Sequence, residues 1–98
     1  MIKDSMDLFL TDYYRILKVL DENQVNVNNN EKFVPLTQME VAKLIGVSKI
    51  TMNFMFKELH RQKFIYSYKG KKGIYCLSEK SQIILKEIRR INNYISKL

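Results

Sequence analysis

The sequence predicts a mainly α-helical domain with one small β-hairpin, in the order α-β-α-α-β-β-α across residues 1–98. Three observations predict it. Apolar side chains recur at helical spacing in four separate stretches. Small hydroxyl residues stand where helices would start, at Thr37, Ser48 and Ser78. A cluster of lysines and glycines at 69–73 separates two short runs of aromatic and β-branched residues, as in a hairpin. A chain of 98 residues with 46% apolar content can enclose one core and not two, so a single folding unit is expected.

Met6, Phe9, Leu10, Tyr13, Ile16, Leu17 and Leu20 form a broad apolar stripe at helical period, which predicts a first helix over 5–20 capped by Asp4 or Ser5. From 21 to 32 the chain is polar and Asn-rich, with only Val25 and Val27 to bury, and reads as a flexible surface loop. Phe33 and Val34 precede Pro35, whose ring disfavours helical geometry before it, so one short strand is expected there.

Thr37 and Glu40 have the spacing of a capping box, which starts a second helix at Gln38. Its apolar positions Met39, Val41, Ala42, Leu44 and Ile45 lead to Gly46, a residue able to end a helix in the left-handed conformation. Ser48 then caps a third helix from Lys49 to Arg61 or Gln62, with Met52, Met55, Phe56 and Leu59 on its inner face. Residues 64–68 and 74–77 are the two arms of the hairpin, with a basic tip between them. Ser78 caps a last helix in which Ile84, Ile88, Ile91, Ile95 and Leu98 recur at alternating steps of four and three, a narrow seam suited to pairing with another helix.

Charge is distributed unevenly. Residues 1–42 carry four basic and seven acidic side chains, whereas residues 43–98 carry thirteen basic and three acidic ones. The positive field therefore belongs to the second half, which suggests a polyanionic partner, nucleic acid before an anionic membrane surface. No stretch approaches the ~18 uninterrupted apolar residues of a membrane helix, and Asp4, Asp7 and Asp12 interrupt any secretory leader. The lone Cys76 excludes an internal disulfide, reads as a small buried hydrophobe, and fits a reducing cytoplasm. His60 has no Cys or second His at ligand spacing, and Gly70 and Gly73 sit inside a hairpin rather than at a strand-to-helix junction. No catalytic site, cofactor or metal is therefore expected.

Residues 37–62 resemble the helix-turn-helix motif. Ala42 stands four residues before the turn glycine Gly46, where two steeply crossing helices need a small side chain, and Val41, Ile45, Val47, Met52 and Met55 supply the apolar positions around it. With the hairpin at 64–77 as a wing and a terminal helix at 78–98, the whole chain resembles the winged helix-turn-helix family. That resemblance implies double-stranded DNA as partner, the third helix in the major groove and the wing along a phosphate backbone or in the adjacent minor groove.

Carried onto this sequence, the outward face of the third helix contains Ile50, Asn53, Phe54, Lys57 and Arg61. Asn53 suits adenine, and Lys57 or Arg61 suits guanine or phosphate. Ser48, Lys49 and Thr51 would hold a phosphate at the helix N-terminus, and Lys69, Lys71 and Lys72 are the phosphate ligands of the wing. The seam Ile84, Ile88, Ile91, Ile95 and Leu98 is the expected homodimer interface, with packing against the first helix as its alternative. Ile50 and Phe54 are apolar on a face that should be polar. They would meet thymine methyls, pack on a second recognition helix, or bury against the first helix. Packing on a second recognition helix is similar to the TubR-type partition proteins, winged helix dimers that link centromere repeats to a tubulin-like filament protein. The resemblance thus implies a transcriptional repressor first, a partition adaptor second, and a winged helix used only for protein contacts third.

Overall fold

A computed structural model describes residues 5–28 and 31–98. It is a mostly helical domain of four α-helices and two small antiparallel hairpins. After a 3₁₀ segment at Ser5–Phe9 come α1 (Asp12–Glu22), β1 (Val25–Asn28), β2 (Glu31–Phe33), α2 (Gln38–Ile45), α3 (Lys49–Arg61), β3 (Ile65–Ser67), β4 (Tyr75–Leu77) and α4 (Glu79–Ile95).

The first helix is shorter than its apolar period suggests. Thr11 caps it, its hydroxyl accepting from the Tyr13 N–H at 3.2 Å, so the helix begins at Asp12 and not at 5. Phe9, expected on the buried stripe, is exposed. Asp4, one of the two expected caps, lies outside the described residues.

The expected loop at 21–32 is also corrected. Apart from residues 29–30, which are not described, it continues α1 to Glu22 and then forms the hairpin β1–β2, with Val25 paired to Phe33 and Asn26 to Lys32. Val25 and Val27 are exposed, so this hairpin is held by its outer contacts. Phe33 stacks on Tyr68 at 4.9 Å, and the Cys76 thiol donates to the Lys32 carbonyl at 3.3 Å. Burial raises the Cys76 pKa above its ordinary value. Beyond Phe33, the Val34 N–H donates to the Tyr75 carbonyl at 2.8 Å, a single bridge that joins the first hairpin to β4 of the second.

α2 and α3 form as their local signals predict. The Thr37 hydroxyl accepts from the Glu40 N–H at 3.1 Å, and the Glu40 carboxylate accepts from the Thr37 N–H at 3.0 Å, which holds that carboxyl below its ordinary pKa. Gly46 ends α2 at φ 76°, and the N–H groups of Gly46 and Val47 both donate to the Ala42 carbonyl. Of the apolar positions on α2, only Val41 and Ala42 are fully buried, while Met39 and Leu44 lie in solvent. All four inner residues of α3 are buried. Phe56 sits at the centre with its ring edge-on to Tyr75 at 5.0 Å, a burial that stabilises by roughly 2 kcal/mol over exposure.

The second hairpin is tighter than the run of β-forming residues. Its strands pair only from Ile65–Leu77 to Ser67–Tyr75, and Tyr68–Gly70 coil into a 3₁₀ turn with Lys69 at φ 50°. Its base is tied to both neighbouring helices through Phe64, whose N–H donates to the Leu59 carbonyl of α3 at 2.9 Å. The Phe64 carbonyl accepts from the Ser78 N–H and hydroxyl, both at 3.1 Å, and from the buried Ser81 hydroxyl at 2.5 Å, which seats the start of α4.

α4 contributes Leu85 to the core. The isoleucine seam lies beside that contact and is only partly covered: Ile84 and Ile91 are 37% and 38% exposed, and Ile88 and Ile95 are half-buried. Leu98 lies past the end of the helix and is 92% exposed. Among the described residues, no helix is long and apolar enough to cross a membrane.

Candidate nucleic-acid interface

The outward surface of α3 is divided between three concavities. The first lies between α3 and the second hairpin, about 300 Å³ in volume. Lys57, His60 and Arg61 line it from the helix and Lys72 from the hairpin. Gln38 also lines it, and its side chain donates to the Tyr75 hydroxyl at 3.0 Å and so links the N-terminus of α2 to β4. Three cationic side chains and one imidazole thus line one hollow, and a hydrogen bond between two of its other lining residues spans 37 positions of sequence.

A second hollow of about 370 Å³ lies between the N-terminal ends of α2 and α3. It gathers Lys49, Ile50 and Asn53 with Gln38, Met39 and Met52. Gln38 lines both hollows. Ser48 and Thr51, expected to hold a phosphate, are engaged with each other: the Ser48 hydroxyl accepts from the Thr51 N–H at 3.1 Å and donates to the Thr51 hydroxyl at 3.0 Å. Together they form the cap that starts α3, and Lys49 beside them is exposed.

The third concavity is a groove of about 540 Å³ on the opposite flank of α3. Tyr13 and Tyr14 of α1, Phe54 and Glu58 of α3 with Gln62 at its end, and Ile84 and Ile88 of α4 line it, together with Leu17, Leu59 and Leu85. Phe54 is 66% exposed and Ile50 is 84% exposed, so neither is buried against α1 as one reading of the sequence had it. The helical wheel groups Phe54 with Lys57 and Arg61. The fold instead places it with the isoleucine seam.

The cations differ in what already holds them. Among the described residues, Lys49, Lys57, Lys71 and Lys72 make no ion pair, and all are exposed. Lys69 is turned back toward the first hairpin, its ammonium 3.4 Å from Glu31 and 5.4 Å from the Tyr68 ring centre, and the Glu31 carboxylate raises its pKa. That contact braces the hairpin tip and removes Lys69 from the open cations. Arg61 is paired with Glu58 through both carboxylate oxygens, Nε to Oε2 at 3.1 Å and Nη2 to Oε1 at 2.5 Å. Gln62 donates to the same carboxylate at 2.7 Å. These bonds, that of Arg61 first, lower the Glu58 pKa to about 2.

Sequence reasoning missed three members of this surface. His60, which the sequence marks only by the absence of ligand or catalytic partners, lines the hollow beside Lys57 and Arg61. The Glu58–Arg61 pair was legible from its i, i+3 spacing on a helix. The Gln38–Tyr75 bond had no local signal at all. Among the described residues no group of three or more His, Cys, Asp or Glu is placed to hold a metal ion. Comparison with protein-family models, with curated proteins and with solved structures found no match to the chain.

Proposed function

We propose that this chain is a winged helix-turn-helix protein that binds double-stranded DNA as a cytoplasmic homodimer and regulates transcription, as a repressor occluding a promoter. The observation that carries the reading is the hollow in which Lys57, His60 and Arg61 of α3 face Lys72 of the hairpin. A helix and a β-ribbon presenting cations to one space match a groove edge and its flanking phosphate strand. The Val34–Tyr75 bridge adds the short strand that a wing needs beside it. In this reading Asn53 contacts adenine, Lys57 and Arg61 contact guanine or phosphate, and Lys71 and Lys72 hold phosphates. Binding of this kind needs no cofactor, metal or catalytic group.

The test is titration of a labelled duplex across ionic strength with the wild type and with Lys69, Lys71 and Lys72 replaced by Gln. The variant is expected to bind every duplex more weakly with a flatter salt dependence. Identical binding refutes the wing assignment, and no association of the wild type at low ionic strength refutes DNA binding and leaves protein contacts alone.

A second reading, the partition adaptor that hands DNA repeats to a tubulin-like filament protein, is favoured by the exposure of Ile50 and Phe54 on α3. Footprinting on the protein's own locus separates the two. One or two sites over a promoter support regulation, and a long phased array of repeats supports segregation.

A further inference from the structure

From Val41, within α2, through α3 and the hairpin to Ser78, eight side chains are basic and one, Glu58, is acidic; the other carboxylate of the motif, Glu40, is held at the start of α2 by Thr37. The Glu58 carboxylate occupies the guanidinium of Arg61 through both of its oxygens. We infer that Glu58 is a latch on Arg61: in the free protein it fills the guanidinium fork that a DNA phosphate or guanine edge would take, so a duplex must exchange one anion for another to recruit this arginine. The inference rests on the DNA-binding reading and deepens it, by naming the residue that sets how strongly the surface holds a polyanion.

The geometry supports a competitor's role. A guanidinium offers its parallel N–H bonds to a carboxylate or a phosphate in the same planar arrangement, so the two anions claim the same donors. Gln62 donates to the same carboxylate oxygen, Oε1, at 2.7 Å, a second hold on the Glu58 side chain. Lys57 and Lys72 share the hollow with Arg61 and have no such partner among the described residues. The Arg61 side chain is 69% exposed and that of Glu58 31%, so the pair is screened by solvent and weak. A dense line of phosphates, with its high local field, displaces such a contact, and an isolated anion at low concentration does not. The latch therefore filters by charge density, admitting duplex and excluding scattered small anions.

An alternative part for Glu58 predicts the opposite sign. If the carboxylate orients Arg61 for a base edge, removing its charge weakens binding. The experiment is fluorescence anisotropy of a labelled mixed-sequence duplex with wild type, Glu58→Gln, Arg61→Gln and the double variant, each checked for unchanged helicity. Glu58→Gln is expected to bind roughly threefold to tenfold more tightly at low ionic strength, with a salt slope steeper by about one phosphate. The gain must vanish in the Arg61→Gln background, because a carboxylate acting only through the overall field would leave it intact. Equal or weaker binding by Glu58→Gln, or a gain that survives without Arg61, overturns the latch. A wild type that fails to bind any duplex overturns the DNA reading as well, and is told apart because then all four proteins are silent.

Discussion

The two flanks of α3 face different chemistry although they belong to the same thirteen residues. Toward the second hairpin the helix presents Lys57, His60 and Arg61 to one hollow, and toward α1 and α4 it presents Phe54, with Glu58 beside it, to a groove lined largely by aromatic and aliphatic side chains. Residues three and four apart share a helical face, so Phe54, Lys57 and Arg61 start out as neighbours. What separates them is the company each meets. Tyr75 and Lys72 arrive from the hairpin, whereas Ile84 and Ile88 arrive from α4. The lesson is that the role of a side chain on a surface helix is assigned by the element beside it.

That division can be broken from the apolar side first. Changing Ile84 and Ile91 together to Asp is expected to turn a dimer into a soluble monomer by sedimentation equilibrium, and to weaken duplex binding on the order of a hundredfold through the loss of a second linked module. A variant that stays dimeric removes the α4 seam as the interface. From the basic side the expected effect is smaller. Lys57→Ala with Lys72→Ala should weaken binding about tenfold and reduce the salt slope by about two, with Tm unchanged, because both side chains are exposed and unpaired. A lower Tm would instead mean that the hollow holds the fold together.

The smallest expected effect concerns acid. Glu58 has its pKa lowered from 4.5 to about 2 in the folded chain, so its contribution to stability is complete above pH 4.5 and is lost as the pH falls toward about 2. In that window Glu58→Gln should lose less Tm than the wild type as acid is added. Parallel acid profiles would show that the Glu58–Arg61 pair does not persist in solution.

The parts legible in the sequence are those whose cause lies within a few residues. The Thr37–Glu40 capping box, the Gly46 turn, the Ser48 cap and the Ser78 cap each close over one helical turn, and each forms where expected. Beyond that range the reading fails in identifiable ways. Apolar spacing runs on through Leu10, but the Thr11 hydroxyl starts the helix anew. Val25 and Val27 alternate with asparagines over too short a stretch to announce a strand, and their hairpin leans on Tyr68, Lys69 and Cys76, some forty residues away. The candidate surface divides in the same manner. Lys57, Arg61 and Lys72 were named from their types and spacing, whereas the tie from Gln38 to Tyr75 and the removal of Phe54 to another face depend on remote segments.

The anchoring of Phe64 to Leu59 on one side and to Ser78 and Ser81 on the other has a mechanical consequence. One residue acts as a welded joint between two rods, so α3 and α4 keep a fixed bearing to each other and turn together as an elbow bracket does. Were two such brackets clasped back to back through α4, the spacing of their α3 helices would depend on one peptide unit on each side of Phe64, its N–H gripping α3 and its carbonyl gripping α4.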